Sequence, residues 1–482
     1  MIKKIMRPSI VAVVLLIIIS GYALFFEPLI GIADNGDFFR IMAANDLKHE
    51  EDRDVNVFGY FTNQYDKLQY YNELKGKIKS THSMMIQLAI KIDDFFTHDK
   101  KFDMRFQAFL CLMVLALSLY WIVEFVEKVI YKKRAQYFLA FLAVIIFGDI
   151  GYTSYFNSFY GEAIAYPFYM VSISSLLKFS LEKDIKIRYL VIYFLGSFMF
   201  MGSKNQFAVN GILSFLLLAS LLFFKMKRYK KIVSFGLAAG LFISTVLMYM
   251  VIDENIYLIN KYHMITRGVM LFEPNVEEVT QRVGLNKQYS LLAETIYFDA
   301  TPMIHPKDEK LMDDFYKNYN LATVTLYYFT NPSAFMKIIK LGCKNSFTIR
   351  PEVLGNFEKS AGREFGEKTS FFSLWSEWKE NYIPHSPGLI FMFLVVCISL
   401  NVYRIFQYKV NSTSKIMYYY EIVMIYVFFT GFSQILVSLI GAGDTDLKKH
   451  LFMTTVSLDI LFYCNLIVLL SIFNLSDEHG FE

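Results

Sequence analysis

The chain has 482 residues, 55% of them apolar, a formal net charge of +4 and a positive mean hydropathy. That balance excludes an ordinary soluble domain and predicts an all-α polytopic membrane protein, whose lysine-rich cytoplasmic loops account for the charge without nucleic acid. Cys111, Cys397 and Cys464 fall in apolar segments and Cys343 stands alone, which excludes a disulfide framework and a thiolate metal site. The chain carries no Walker motif, GxGxxG after a strand or GxSxG, so nucleotide-driven transport and serine hydrolysis lack their residues.

Residues 8–26 follow a basic start, are long enough to span a bilayer, and precede no small-residue cleavage site. They predict a retained first helix. Further spans are expected at 104–126, 136–152, 163–180, 189–204, 207–225, 232–252, 387–405, 416–440 and 453–474, which makes about ten. Lys3, Lys4 and Arg7 place the N-terminus in the cytoplasm. Alternation then puts every other basic loop there: Lys128 to Arg134, Lys178 to Arg188, Lys225 to Lys231, and Arg404 to Lys415. Both termini are therefore expected inside. The expected division is a membrane module, 1–252, with helices one to seven and a first outer loop, 27–102. A mainly helical outer insertion, 253–386, and helices eight to ten, 387–482, follow.

Immediately after the first helix the chain reads Ala33-Asp34-Asn35-Gly36-Asp37-Phe38-Phe39-Arg40. Asp34 reads as an N-cap, which sets Asp37 at the third helical position and Arg40 one turn later on the same face. Phe38, Phe39, Ile41 and Met42 are expected to lay this short helix on the membrane surface. Farther along the loop, Met84, Met85, Leu88, Ile92 and Phe95 form an apolar stripe, with His82 just before it. Asn331-Pro332 reads as an N-cap and N1 pair opening a helix. Phe371, Phe372, Trp375, Trp378 and Tyr382 read as an aromatic belt.

The second outer turn contains Asp149, Asn157, Tyr160 and Glu162, at the entrance to the fourth helix. The third, Gly202-Ser203-Lys204-Asn205-Gln206, holds a lysine against the charge bias of short loops, where an ammonium can pair with a phosphate. The last reads Asp444-Thr445-Asp446-Leu447-Lys448-Lys449-His450, with Asp459 deeper in the following helix. An acid inside a membrane segment is a candidate functional residue. Acids, lysines and aromatics thus gather in loops expected on one side, which argues for a site there.

This arrangement resembles the GT-C superfamily of integral-membrane glycosyltransferases, and within it the bacterial WsfD-like glycan biosynthesis hexose transferases. The stretches that carry the resemblance are 34–40, 157–162, 203–206 and 446–451. It implies a GT-C-like bundle with interfacial helices in the first outer loop. The implied reaction transfers a hexose from a polyprenyl-phosphate donor in the membrane to an extracytoplasmic glycan or cell-wall polymer, with inversion. An aspartate with an arginine three residues on favours Asp37 over Asp34 as the base, with Glu162 as a second acid. Arg40, Lys204, Gln206, Lys449 and His450 are the implied phosphate-binding set. The acids lack a ligand spacing that points to a metal ion, so metal use stays open. A lipid-linked glycan polymerase or ligase shares this donor and sidedness. A flippase or transporter would instead spread its ionisable residues through the bilayer midplane.

Overall fold

A computed structural model of the chain describes residues 7–49, 56–182, 184–271, 273–410 and 417–476. Of the lysines that set the orientation, Lys3, Lys4, Lys183 and Lys415 lie outside the described residues, as does the side chain of Lys409.

Helix dominates. The first part of the chain forms α1 (Pro8–Phe25), α2 (Phe38–Ala44), α3 (Thr81–Thr97), α4 (Arg105–Val129), α5 (Lys133–Phe147), α6 (Ile150–Thr153) and α7 (Glu162–Ser180). It continues through α8 (Ile187–Met201), α9 (Asn210–Ser220), α10 (Arg228–Met250), α11 (Glu254–His263), α12 (Val276–Arg282), α13 (Leu321–Thr330) and α14 (Pro332–Asn345). The last are α15 (Leu374–Tyr382), α16 (Pro387–Val410), α17 (Met417–Ala442), α18 (Leu447–His450) and α19 (Phe452–Ser476).

A helix stands at each of the ten expected spans, though not all ten have the length and apolar composition of a membrane span. Among the described residues seven are long and apolar enough, or eight if α5 and Ile150–Phe156, bent by 41°, make one span. Of the other two, α8 has only 15 residues. The second, α7, falls short because it lies inside the protein: every residue but Phe168 and Lys178 is buried. Burial against neighbours removes the need for an apolar surface. Accordingly α7 carries Ser172, Ser174, Ser175 and Ser180, whose hydroxyls donate to carbonyls three residues back. Gly196 of α8 lets the two helices touch, since a Cβ there would lie 3.0 Å from the Phe168 carbonyl oxygen. Helices α1, α4, α7 and α8 pack in series, with α7 as the pillar between α4 and α8.

The loop between α1 and α4 departs from an all-helical reading. It contains β1 (Leu47–His49), β2 (Gln64–Lys67) and β3 (Lys101–Asp103), an antiparallel sheet in the order β1-β2-β3, with Leu47 opposite Lys67 and Gln64 opposite Asp103. Leu47, Tyr65 and Phe102 are buried, and the latter two rings pack on Phe159 at 4.8 and 6.2 Å. Strands of three or four residues are too short to show an alternating pattern. The sheet fastens this loop onto the α6–α7 connection. Helix α2 is held there too: Phe38, Ile41, Met42 and Ala44 are buried in protein, with Phe38 against Phe159 and Tyr160, and only Phe39 is open. The expected surface helix is therefore a packed one. On α3, Met85, Ile86 and Ala89 face inward while Met84, Leu88 and Phe95 stay exposed, which splits the predicted stripe.

Residues 258–338 have a core of their own, centred on Leu258, Tyr262, Ile265, Phe315, Tyr319, Val324 and Ile338. It extends onto Ile435 and Leu439 of α17 and onto Leu447 and Leu451, so this segment grips the last loop.

Candidate functional site

At the end of the bundle where α1 finishes, five loops converge on a cavity of about 780 Å³. Asp37 and Arg40 come from the first, Tyr160 and Glu162 from the second, Lys204 and Gln206 from the third. His263 belongs to α11, and Asp446, Lys449 and His450 to the last loop.

Asp34 shapes the first wall. Its Oδ1 accepts from the amides of Gly36 (2.7 Å) and Phe38 (3.1 Å), while its other oxygen lies 3.6 Å from His49 Nε2. This tight turn starts α2 at Phe38, three residues later than an Asp34 N-cap would. Asp37 occupies the N-cap position instead, without making a side-chain cap bond. Its carboxylate turns to Arg40 on one side and to Lys449 Nζ, at 3.0 Å, on the other. Lys449 also reaches Asp446 (3.1 Å) and stands 5.0 Å from the Tyr160 ring centroid. The Asn35 amide ties Asp37 (3.2 Å) to Asp446 (3.0 Å). The Tyr160 hydroxyl donates to the Ala33 carbonyl and accepts from the Asn35 backbone N–H, both at 2.9 Å. Burial alone would raise the Asp37 pKa, but Lys449 and then Arg40 overcome it and hold the carboxyl well below its usual range. Lys449 is held above its own ordinary value, because Asp37, Asp446 and Glu162 outweigh the cost of burial.

A second ion pair joins the next two loops. Glu162, buried at the start of α7, accepts through Oε1 from Lys204 Nζ at 2.7 Å. Its Oε2 has no hydrogen-bond partner among the described residues. Gly161 makes the approach possible, since a Cβ there would meet the Ser203 carbonyl oxygen at 3.0 Å. Gln206 donates to the His450 carbonyl (2.8 Å) and to Gln434 (3.3 Å). Burial first, then Lys204 and Lys449, pushes the His450 imidazole far below its ordinary pKa. His82, on α3 rather than in a loop, lines the same cavity. Its Nε2 is buried and unpartnered among the described residues, and burial pushes its pKa down to about 3. His263 accepts from the Tyr297 amide (2.9 Å) and is pushed down to about 4 by burial and Arg267.

Three expected site residues serve the frame instead. Asp149 caps α6 through Gly151 (2.7 Å) and holds the amides of Trp375 (3.0 Å) and Ser376 (2.9 Å) at the start of α15. Asn157 donates to the carbonyls of Leu24 (3.1 Å) and Ile30 (2.9 Å). Asp444 clamps Arg267 with two bonds of 2.7 and 2.6 Å, tying the last loop to the π-helical turn Met264–Val269. Beside it Gly443, at φ +65°, passes so close that a Cβ would meet the Arg267 carbonyl oxygen at 2.3 Å. Asp459 likewise stands outside the cavity, bonded to Lys379 (2.6 Å), Tyr152 (2.5 Å) and Trp375 (2.8 Å). The cavity also takes residues that sequence reading passes over, His263, Asn260, Phe58 and Phe298 among them. They bear no local signal, because only the return of 253–386 to this end of the bundle brings three of them there. Among the described residues no three His, Cys, Asp or Glu side chains are grouped to hold a metal ion.

The family described as the YfdI N-terminal transmembrane domain matches residues 1–479. The chain belongs to that family. It is accordingly a multi-pass membrane protein. No curated protein matches the chain. Among solved structures it is similar to the Archaeoglobus fulgidus oligosaccharyltransferase AglB in complex with an inhibitory peptide and a dolichol-phosphate. The identity is 13% and the TM-score 0.37, over 98% of this chain and 52% of that one. The apo oligosaccharyltransferase of the same organism gives 13% identity and a TM-score of 0.36, over 97% and 52%. The chain thus spans about half the length of either enzyme, and likeness at this level decides neither chemistry nor substrate.

Proposed function

We propose that this domain is a GT-C-type glycosyltransferase that moves a hexose from a polyprenyl-phosphate carrier to an extracytoplasmic glycan or cell-wall polymer. The observation that carries the reading is the Asp37 carboxylate held between Arg40 and Lys449 on the wall of a cavity that five loops build. An acid flanked by two cations is what a phosphate-leaving transfer needs. The donor's phosphate competes with Asp37 for Arg40 and Lys449. As it takes them, the carboxylate loses the charges that depress its basicity. The acceptor hydroxyl oxygen then attacks the anomeric carbon, the bond from that carbon to the phosphate oxygen breaks, and the hydroxyl proton passes to Asp37. Attack from the face opposite the leaving group inverts the anomeric centre. Arg40, Lys449 and Lys204 stabilise the phosphate as its charge grows. Glu162 fixes Lys204 for that role. The resemblance to WsfD-like enzymes supplies the hexose. The basic residues at the opposite end of the bundle, from Arg7 through Lys230 and Arg404, support a cytoplasmic placement for that end and an extracytoplasmic one for the cavity.

Lys204→Ala is expected to raise the apparent KM for the lipid donor and lower kcat together. The combined loss is about ten- to a hundred-fold, the range of one charge-assisted bond. The change also leaves Glu162 buried without its cation, so the thermal midpoint is measured alongside, and Lys204→Arg should restore most of the activity. The assay follows labelled hexose from polyprenyl phosphate in detergent. Wild-type donor kinetics in Lys204→Ala would remove the third loop from the phosphate site.

A further inference from the structure

Part of the cavity wall comes from residues 253–386, which the transfer steps leave unused. Phe298, 57% exposed, lines the cavity, and Asn260 of α11 lines it without a side-chain hydrogen bond among the described residues. Phe58 of the first loop lines it too, with its ring open to solvent. Scattered exposed aromatics are ordinary, but these two stand on backbone built to present them. Phe58 adopts φ +67°, a left-handed conformation that costs a bulky residue about 1 kcal/mol or more. It is kept there by its amide on the Asp34 carbonyl (2.7 Å) and by its carbonyl accepting from Gly355 (2.9 Å). The segment before Phe298 is pinned in the same way. Glu294 donates to the Thr266 carbonyl (2.9 Å), Arg267 to that of Glu294 (2.7 Å), and the Tyr297 amide to His263.

We propose that Phe58, Phe298 and Asn260 form the subsite for a pyranose ring of the acceptor glycan. A pyranose offers an apolar C–H face, which packs on an aromatic ring, and a rim of hydroxyls, which an amide can both donate to and accept from. An isoprenoid chain calls for unbroken apolar lining. Asn260 and Asp253 interrupt this wall, and the cavity it belongs to also holds Asp37, Lys449, Glu162 and Lys204. The assignment rests on the transfer reading for which molecule brings the sugar.

The test uses the full chain in lipid nanodiscs and saturation-transfer NMR. One arm presents methyl hexopyranosides of gluco, galacto and manno configuration in both anomers, the other farnesyl phosphate. Wild type should transfer saturation to ring C–H protons of at least one glycoside. Phe298→Ala and Phe58→Gly should each weaken its binding roughly three- to tenfold, as loss of one aromatic contact requires. Glycine at position 58 relaxes the left-handed backbone, so an unchanged thermal midpoint separates lost contact from lost fold. Farnesyl phosphate should bind both variants as it binds wild type, and should weaken in Lys449→Ala. Absence of any glycoside signal in wild type, or an undiminished signal in both variants, overturns the subsite. Loss of farnesyl phosphate in the aromatic variants makes the wall a lipid surface and overturns it as well. Indifference of farnesyl phosphate to Lys449→Ala, with glycoside effects intact, refutes the donor reading alone.

Discussion

Asp37→Asn is expected to lower hexose transfer by roughly a hundred-fold to ten-thousand-fold while donor binding stays at or above the wild-type level. The substitution keeps the size of the side chain and its bond to Asn35, but removes the group that receives the acceptor's proton. It also removes a negative charge that competes for Arg40 and Lys449, so the donor phosphate meets cations already released. Weaker donor binding with normal turnover of bound donor would contradict both halves of the argument. Asp34→Asn serves as the control. An amide oxygen can still accept from Gly36 and Phe38, so the turn and the transfer rate should survive. If Asp34→Asn abolishes transfer while Asp37→Asn does not, the base is Asp34. If neither does, Glu162, whose Oε2 lines up no partner among the described residues, becomes the next carboxylate to replace.

Lys379→Met should cost about 3–5 kcal/mol of stability, the largest such effect expected in the chain. Lys379 and Asp459 pair at 2.6 Å with side chains only 2% and 4% exposed. Removing the cation strands a buried carboxylate that then has, among the described residues, the Tyr152 hydroxyl and the Trp375 indole as side-chain donors. Replacing both ions, in Lys379→Met/Asp459→Leu, should recover part of the loss, because desolvation of the charges disappears with them. Thermal unfolding in detergent measures both variants. A midpoint for Lys379→Met equal to wild type would mean that water reaches the pair. Transfer per folded molecule should change little, since neither residue touches the cavity.

The helices were legible because their signal is carried by about twenty consecutive residues, and the convergence of the loops because basic residues mark every other connection. That logic brought Asp37 and Lys449 to one place from 412 positions apart, and they stand at 3.0 Å. The polar residues inside the frame were harder to sort. Asp149, Asn157 and Asp459 carry the same residue types as a site, and only their partners, Ser376, the Ile30 carbonyl and Lys379, show that they bind structure together. The strands were too short to alternate. Phe58 shows nothing in its sequence context of the positive φ that turns its ring outward, because Asp34 and Gly355 impose it from either side.

A nascent chain meets the bilayer segment by segment, and α7 is poorly made for that encounter. Its polar groups find partners on parts of the chain made at very different times. The Tyr166 hydroxyl donates to the Phe147 carbonyl of α5, Glu162 waits for Lys204, and the Tyr169 hydroxyl comes within 3.4 Å of Ser457 on α19. Until Lys204 and Ser457 arrive, its serines, its glutamate and Pro167 would face lipid. The expected result is that α7 alone, flanked by glycosylation acceptor sites in a translocation reporter, integrates far less often than α4 alone. It should gain efficiency when α4 through α8 are present. Equal integration of the two isolated helices would refute this. If it holds, biogenesis of the domain ends with its centre, and a chain stalled before α19 exposes its own pillar to the quality-control proteases of the membrane.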